Sequence, residues 1–449
     1  MKLPHPAPSL VDVLGKLGQS ELARVLSHPL ASGDQYLHWD QIRHRPPPEG
    51  MNSESWWAAI KLTRQGALRP LPVKDKDGNP FVLGMPEAVQ IDLHHIDRDA
   101  GGRILSASNI ASKEHQTRYL VNSLIEEAIT SSQLEGAATT RKVAEAMLRE
   151  GRKPKDHSER MIFNNYRAMS VIREMKDESI SPESILELHR ILTEDTLEDP
   201  EDAGRLRQTD DVRVVDNRDG VILHQPPSYT ELPDRLKLLC DFANADENST
   251  PFVHPVVRAI LVHFMIGYDH PFVDGNGRTA RALFYWSMAR SGYWLMEYVS
   301  ISHFLKRAPS QYVKSYLYTE SDGNDTTYFV MHQLGVIRNA IRLLHEYMAR
   351  LSEQHRSTEK ILTASPKLRE RLNHRQVALL THALRHPGEA YAISGHQRTH
   401  GIVYQTARTD LLELFELGLL NKARSGKAFV FIAPMDLQER VEGLVKAGL

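Results

Sequence analysis

Cysteine is nearly absent from this sequence: Cys240 is the only one in 449 residues. No intramolecular disulfide can form, and thiol poverty of this kind points to a reducing compartment. Cys240 lies in an apolar helical pattern with Leu236, Leu239 and Phe242, the setting of a core residue rather than a nucleophile. Long apolar runs are lacking too, and the start, Met-Lys-Leu-Pro-His-Pro-Ala-Pro, has no signal-peptide core. The expectation is a cytoplasmic protein with no membrane partner. An excess of one charge is also missing, the formal net charge being −2. That argues against polyanion binding along the whole chain and leaves room for a local basic patch. What is present is 41% apolar and 25% charged residues, an ordinary globular composition, in a length that suggests two or three domains.

The densest chemistry lies in His270-Pro-Phe-Val-Asp274-Gly275-Asn276-Gly277-Arg278-Thr-Ala-Arg281. Gly275 and Gly277 let a loop turn several backbone N–H groups toward one centre, because glycine accepts positive φ and close approach. Good helix formers follow from Arg278, so the loop opens a helix whose dipole also favours an anion. Arg278 and Arg281 are one turn apart and can both reach phosphate oxygens. Asp274 is a hard oxygen ligand for a Mg²⁺ shared with those phosphates. His270 is the nearby group whose pKa suits proton abstraction near neutrality.

This stretch resembles, position for position, the signature H-x-F-x-D/E-G-N-G-R-x-x-R of the Fic (filamentation-induced-by-cAMP) family. The resemblance implies transfer of AMP from ATP to a hydroxyl side chain of a target protein, or of the enzyme itself, with Mg²⁺. His270 would be the base. Asn276 and the N–H groups of Gly275 and Gly277 would stabilise the α-phosphate, with Arg278 and Arg281 on the outer phosphates. Lysine stands at the place of Gly277 in the relative that acts as a kinase, so this chain looks like a nucleotidyl transferase. Three alternatives stay open: removal of AMP at the same site, transfer from another donor such as UTP, and a DNA-binding regulator with a nucleotide-sensing core.

Upstream, Leu120, Val121, Leu124, Ile125, Ala128 and Ile129 recur at helical spacing and run into Ser131-Ser-Gln-Leu-Glu135-Gly136. Ser131 and Glu135 share a helix face, and Gly136 suits a helix end. By physics alone Glu135 is a solvated terminal acid. The stretch is similar to the family's inhibitory motif S/T-x-x-x-E-G/N, which implies that Glu135 occupies the Arg281 fork and turns the ATP α-phosphate away from its target. Relatives with this motif are commonly homodimers, so a homodimer is expected as well.

Asp211 to Val215 and Val221 to Leu223 are β-type runs around a Gly220 turn. The resulting hairpin resembles the family's flap, with Val212, Arg213, Val214 and Val215 pairing a target segment. Tyr316 and Asp322 are placed on the adenine side by the same resemblance. A single short helix is read from Leu10 to Leu26, and a small hairpin around the Gly78 turn.

Beyond a polar linker at 351–366, the order helix, short extended run, two helices and a strand pair around Gly426-Lys427 reads as a winged helix over 367–435, ending in a tail helix at 436–449. Between Lys367 and Pro434 ten Lys/Arg face five acids. Tyr404, Gln405, Thr406 and Arg408 would then lie near DNA bases or phosphates; dimerisation or protein contact is the other use of such a fold. The overall expectation is a mainly α protein: an N-terminal extension to residue 109, a Fic helical core with a β-hairpin flap at 110–350, and the C-terminal winged helix-turn-helix.

Overall fold

The computed structural model describes residues 3–28, 36–101, 113–216, 218–364, 370–425 and 428–446. Most described residues are helical, and the strands are few and short. The chain forms two compact units, Met1–Gly102 with Ser123–Ile341, and Arg103–Asn122 with Arg342–Leu449.

The first unit opens with α1 (Leu10–Lys16) and α2 (Gln19–Ser27). The single helix expected here is broken, because Leu17 and Gly18 are extended, with ψ of 137° and 163°. A short α3 (Trp39–Ile42) precedes α4 (Ser53–Gln65), which is capped by the Asn52 side chain on Ser55 N–H. Trp56 and Trp57 are buried packing residues. Strands β1 (Arg69–Lys74) and β2 (Pro80–Leu83) form an antiparallel hairpin, followed by α5 (Glu87–Ile96).

Then come α6 (Lys113–Leu134), α7 (Arg141–Glu150), α8 (His157–Glu174) and α9 (Pro182–Thr193). Strands β3 (Val214–Val215) and β4 (Ile222–His224) pair antiparallel, Val214 opposite His224. The hairpin is shorter than expected: Val212 and Arg213 precede β3 and lie outside the strand. Helices α10 (Leu232–Asn244), α11 (Pro255–Asp269), α12 (Asn276–Arg290), α13 (Ile301–Arg307), α14 (Pro309–Ser321) and α15 (Thr327–Ala364) complete the series. The segment expected as a linker continues α15 as far as Ala364; residues 365 and 366 lie outside those described.

Helices α11 and α12 form the centre. Val256, Val257, Ile260, Leu261, Phe264 and Ile266 are buried around the whole circumference of α11, as are Ala280, Leu283, Phe284, Trp286 and Met288 of α12. Helices buried on all sides have no solvent face to relax into, so the turn joining them is held rigidly.

The second unit contains α16 (His374–Arg385), β5 (Ala390–Ala392), α17 (Ile393–His400), α18 (Tyr404–Glu416), β6 (Asn421–Ser425), β7 (Ala428–Ile432) and α19 (Leu437–Lys446). The sheet order is β5-β7-β6, both pairings antiparallel. Leu380, Leu384, Leu411, Leu414 and Phe431 fill its core. Gly426 and Lys427 of the strand-pair tip lie outside the described residues.

Candidate active site

The site is the turn from α11 to α12. His270 caps α11 in the left-handed region, φ 45° and ψ 57°, a conformation uncommon outside glycine and typical of functional positions. The carbonyl of Gly267 lies 3.1 Å from His270 Nδ1. Only an N–H can meet a carbonyl oxygen, so the proton sits on Nδ1 and Nε2 is left as the basic nitrogen. Burial pushes the imidazole pKa below its ordinary value, so the neutral, proton-accepting form prevails at pH 7.

The motif loop is fastened from several sides. Asn276 accepts the Phe272 N–H at 2.9 Å and donates to the Phe272 carbonyl at 2.9 Å. Its amide thus closes the loop. The Arg278 side chain is fully buried, giving Nη1 to the Leu192 carbonyl at 3.0 Å and Nη2 to Asp274 at 3.2 Å. It braces the loop against α9. Asp274 itself is 57% exposed. Gly275, at φ 82°, takes a conformation that favours glycine, and a Cβ there would meet Thr193 at 2.7 Å. The first intrahelical bond of α12 runs from Thr279 N–H to Gly275 O, so the N–H groups of Asn276, Gly277 and Arg278 lack intrahelical acceptors.

A carboxylate from another helix already lies at this end of α12. Arg281, fully buried, donates to Ser131 Oγ at 2.8 Å, to the Ser131 carbonyl at 3.0 Å and to Glu135 Oε1 at 2.7 Å. A Cβ on Gly277 would come 2.1 Å from that Glu135 oxygen, so the carboxylate lies directly over the glycine. Glu135 stands one residue past the end of α6, and Gly136 turns the chain away at φ 97°. The Glu127 carboxylate, one face of α6 deeper, accepts from Tyr285 of α12 at 2.9 Å, from Ser300 at 2.7 Å and from Ser302. That knot sets where Glu135 arrives.

Residues 179–288 match the family model described as the Fic/DOC family. That segment resembles a Fic domain and holds the whole motif. Among curated proteins, protein adenylyltransferase fic-1 of Caenorhabditis elegans is 38% identical over 124 residues, 28% of this chain and 22% of that one. Protein adenylyltransferase Fic of Drosophila willistoni is 30% identical over 192 residues, 42% and 35% of the two chains. The match therefore spans well under half the length of either relative. The crystal structure of a Fic family protein from Desulfovibrio desulfuricans G20 aligns with a TM-score of 0.50 at 18% identity, covering 78% of this chain and 96% of that one. It speaks for the mainly α fold.

Two residues that hold the Fic motif carry no local sequence signal. His189 of α9 stacks on Phe272 at 3.7 Å, accepts the Gly204 N–H at 3.0 Å and donates to the Asp274 carbonyl at 2.9 Å. Burial lowers its pKa to about 4, which keeps the ring neutral, and the two hydrogen bonds set its tautomer. Arg207 donates Nε to the His270 carbonyl at 3.0 Å and its backbone N–H to Pro271 at 2.9 Å. Its Nη groups reach Thr209 at 2.7 Å, Asp210 at 2.9 Å and Pro227, tying the base of the β3–β4 hairpin to the histidine. Either would be found only by asking which distant groups must satisfy the loop's carbonyls.

The expected adenine-side residues divide. Tyr316 packs on Phe264 and Phe329 beside the His270 turn, and a Cβ on Gly267 would strike its hydroxyl. Asp322 pairs with Lys61 of α4 at 2.8 Å and accepts from Tyr328 of α15 at 2.7 Å, so each carboxylate oxygen has a protein partner. Among the described residues, no group of three or more His, Cys, Asp or Glu could hold a metal by itself. Among the described residues, no helix is long and apolar enough to cross a membrane. Cys240 is buried, and burial pushes its thiol up to about 12, the mark of an inert packing residue.

Proposed function

We propose that the chain is a protein adenylyltransferase that moves AMP from ATP to a Ser, Thr or Tyr hydroxyl of a target protein and of itself, restrained by Glu135. The carrying observation is a tautomer-fixed, neutral His270 beside an anion seat in which Glu135 already meets Arg281. A carboxylate lying there indicates that the seat suits an anion, and the name borne by the relatives supplies the nucleotide. His270 Nε2 takes the hydroxyl proton, the freed oxygen attacks the α-phosphorus, and the bond to the β-phosphate oxygen breaks to release pyrophosphate. The N–H groups of Asn276 and Gly277 stabilise the developing charge. Asp274, braced by Arg278 and exposed, would hold Mg²⁺ jointly with the phosphates, as a cation that takes one or two carboxylates requires; such an ion would supply positive charge for the leaving pyrophosphate. A target segment pairs along the β3–β4 hairpin at Val214 and Val215, with Val212 and Arg213 leading in.

With Glu135 on Arg281, the γ-phosphate loses its arginine and ATP lies unproductively. The test compares ATP labelled on the α-phosphate with ATP labelled on the γ-phosphate, using the Glu135→Gly protein. Only the α-label is expected on protein, and His270→Ala in that background lowers it by about 10²- to 10⁴-fold, the usual worth of a general base. Label from the γ-phosphate would sink the assignment.

A second reading concerns the second unit, which we take as a winged helix that docks on DNA. Tyr404, Gln405 and Arg408 are exposed on α18, with Thr406 half-buried. Lys422 and Arg424 on β6 lie over the Phe429 ring at 4.3 and 5.3 Å. Retardation of duplex DNA that fades steeply with salt and weakens in Arg408→Ala supports this reading; no retardation at low salt removes it. The lone buried cysteine fits the reducing cytoplasm, and the homodimer is checked by sedimentation.

A further inference from the structure

Five arginines are buried among the described residues: Arg64, Arg207, Arg258, Arg278 and Arg281. Four have compensating partners, although Arg278 too has a buried Nε with no acceptor. Arg64 gives two hydrogen bonds and lies 3.7 Å over the Tyr36 ring. Arg207, Arg278 and Arg281 each meet a carboxylate and at least one backbone carbonyl. Arg258, in the first turn of α11 and 7% exposed, is the exception. Its one hydrogen bond runs from Nη2 to the Val253 carbonyl at 2.9 Å. Nε is buried with no acceptor, and no ion pair reaches the side chain among the described residues. A guanidinium carries five N–H donors and a charge that cannot be shed, so burying it unpaired is costly. Arg290 lies near enough to add repulsion, and Asp246 offers only distant compensation.

Arg258 lines a cavity of about 170 Å³ between α10, the 245–253 loop and Pro72 of β1. Leu238, Phe242, Pro251 and Val253 make most of its remaining wall apolar, while Asp241 stands exposed and makes no ion pair with the arginine. At about 30 Å³ per water, the space holds roughly five or six waters' worth of liquid. An apolar cavity with one convergent, unsatisfied charged group is the usual form of a small-molecule site. We propose that this cavity binds a small monocarboxylate, its carboxylate on the Arg258 guanidinium and its short alkyl tail against Leu238 and Phe242. The occupant would bridge α10 to α11 at the end remote from His270. This site does not rest on the adenylyl-transfer reading.

The experiment is a thermal-shift titration of the full-length protein at constant ionic strength, with sodium butyrate, neutral butyramide and inorganic phosphate as probes. A saturable rise with butyrate, none with butyramide, and loss of the rise in Arg258→Met are expected. Should Arg258→Met fail to fold, Ala245→Leu fills the cavity with the arginine intact and weakens the apparent butyrate affinity at least tenfold. A butyrate rise matched by butyramide, retained in Ala245→Leu, or absent altogether overturns the proposal. So does a rise given by phosphate alone.

Discussion

Two carboxylate clamps, one in each unit, are built from similar parts for opposite ends. In the second unit Asp410 sits inside α18 with a side chain 4% exposed, and it accepts from Asn373 at 2.7 Å, from Arg375 at 2.8 and 3.0 Å, and from His396 at 3.0 Å. These hydrogen bonds hold its carboxyl below the usual range, against the opposing effect of burial. In the first unit Glu135 is 26% exposed, follows the last turn of α6, and meets Arg281 through one oxygen at 2.7 Å. A carboxylate satisfied on both oxygens from three elements is a structural weld. One that holds by a single bond at a chain turn, over a glycine that leaves room for another anion, is replaceable. The contrast lies in the number of donors and the exposure of the acid, since both arginines make short ion pairs.

The largest effect expected from that contrast is on stability. Asp410→Ala strands Arg375 and His396, and removing one partner of a buried pair costs about 3–5 kcal/mol. Urea denaturation should show that loss, while Glu135→Ala, leaving Arg281 on Ser131, costs far less. Equal losses would erase the distinction. Next comes ligand response. Mg²⁺ with ATP should raise the melting temperature of Glu135→Gly more than that of the wild type, because the arginine fork is vacant for phosphate. Equal shifts in a thermal-shift assay would mean that Glu135 does not compete.

The pH profile tests the base. His270 must be neutral to accept a proton, and its folded pKa lies below the ordinary 6.5. Labelling by Glu135→Gly should therefore persist at pH 6.5 and fall only below it, its acid limb moved to lower pH. A limb centred above 6.5 would deny the buried, neutral imidazole. The smallest effect is that of Ser131→Ala, which deletes one neutral-to-charged hydrogen bond to Arg281. A loss of about 1–2 kcal/mol in the clamp should raise wild-type labelling severalfold, measured as an initial rate.

Much of the site was legible because it is contiguous. Twelve residues from His270 to Arg281 carry the helix end, the turn, the glycines and the next helix start in order. Glu135 was visible only through a motif, since a helix-terminal acid has no local mark telling solvent from a buried arginine 146 positions on. The roles inside the motif were harder. Asn276 reads as a phosphate contact, and only the structure shows the Phe272 backbone four residues earlier meeting both ends of its amide. Arg278 reads as a phosphate ligand, and its bond to Leu192 O leaves no mark in the sequence. His189 and Arg207 were missed because their partners are backbone carbonyls distant in sequence, which leave no pattern in the helices or loops that carry them. The pairing of Asp322 with Lys61, 261 positions earlier, was not legible in the sequence. Helix periodicity found the long central helices, while the break at Leu17 and Gly18 was hidden by an apolar pattern that continues across it.

The central claim is that Glu135 occupies the place of a phosphate on Arg281. The direct measurement is the initial rate of self-labelling by wild type and Glu135→Gly, with Mg²⁺ and ATP labelled on the α-phosphate. Faint label for the wild type and at least a tenfold faster rate for the variant is the predicted result. A variant that binds ATP yet labels no faster than the wild type would contradict the account.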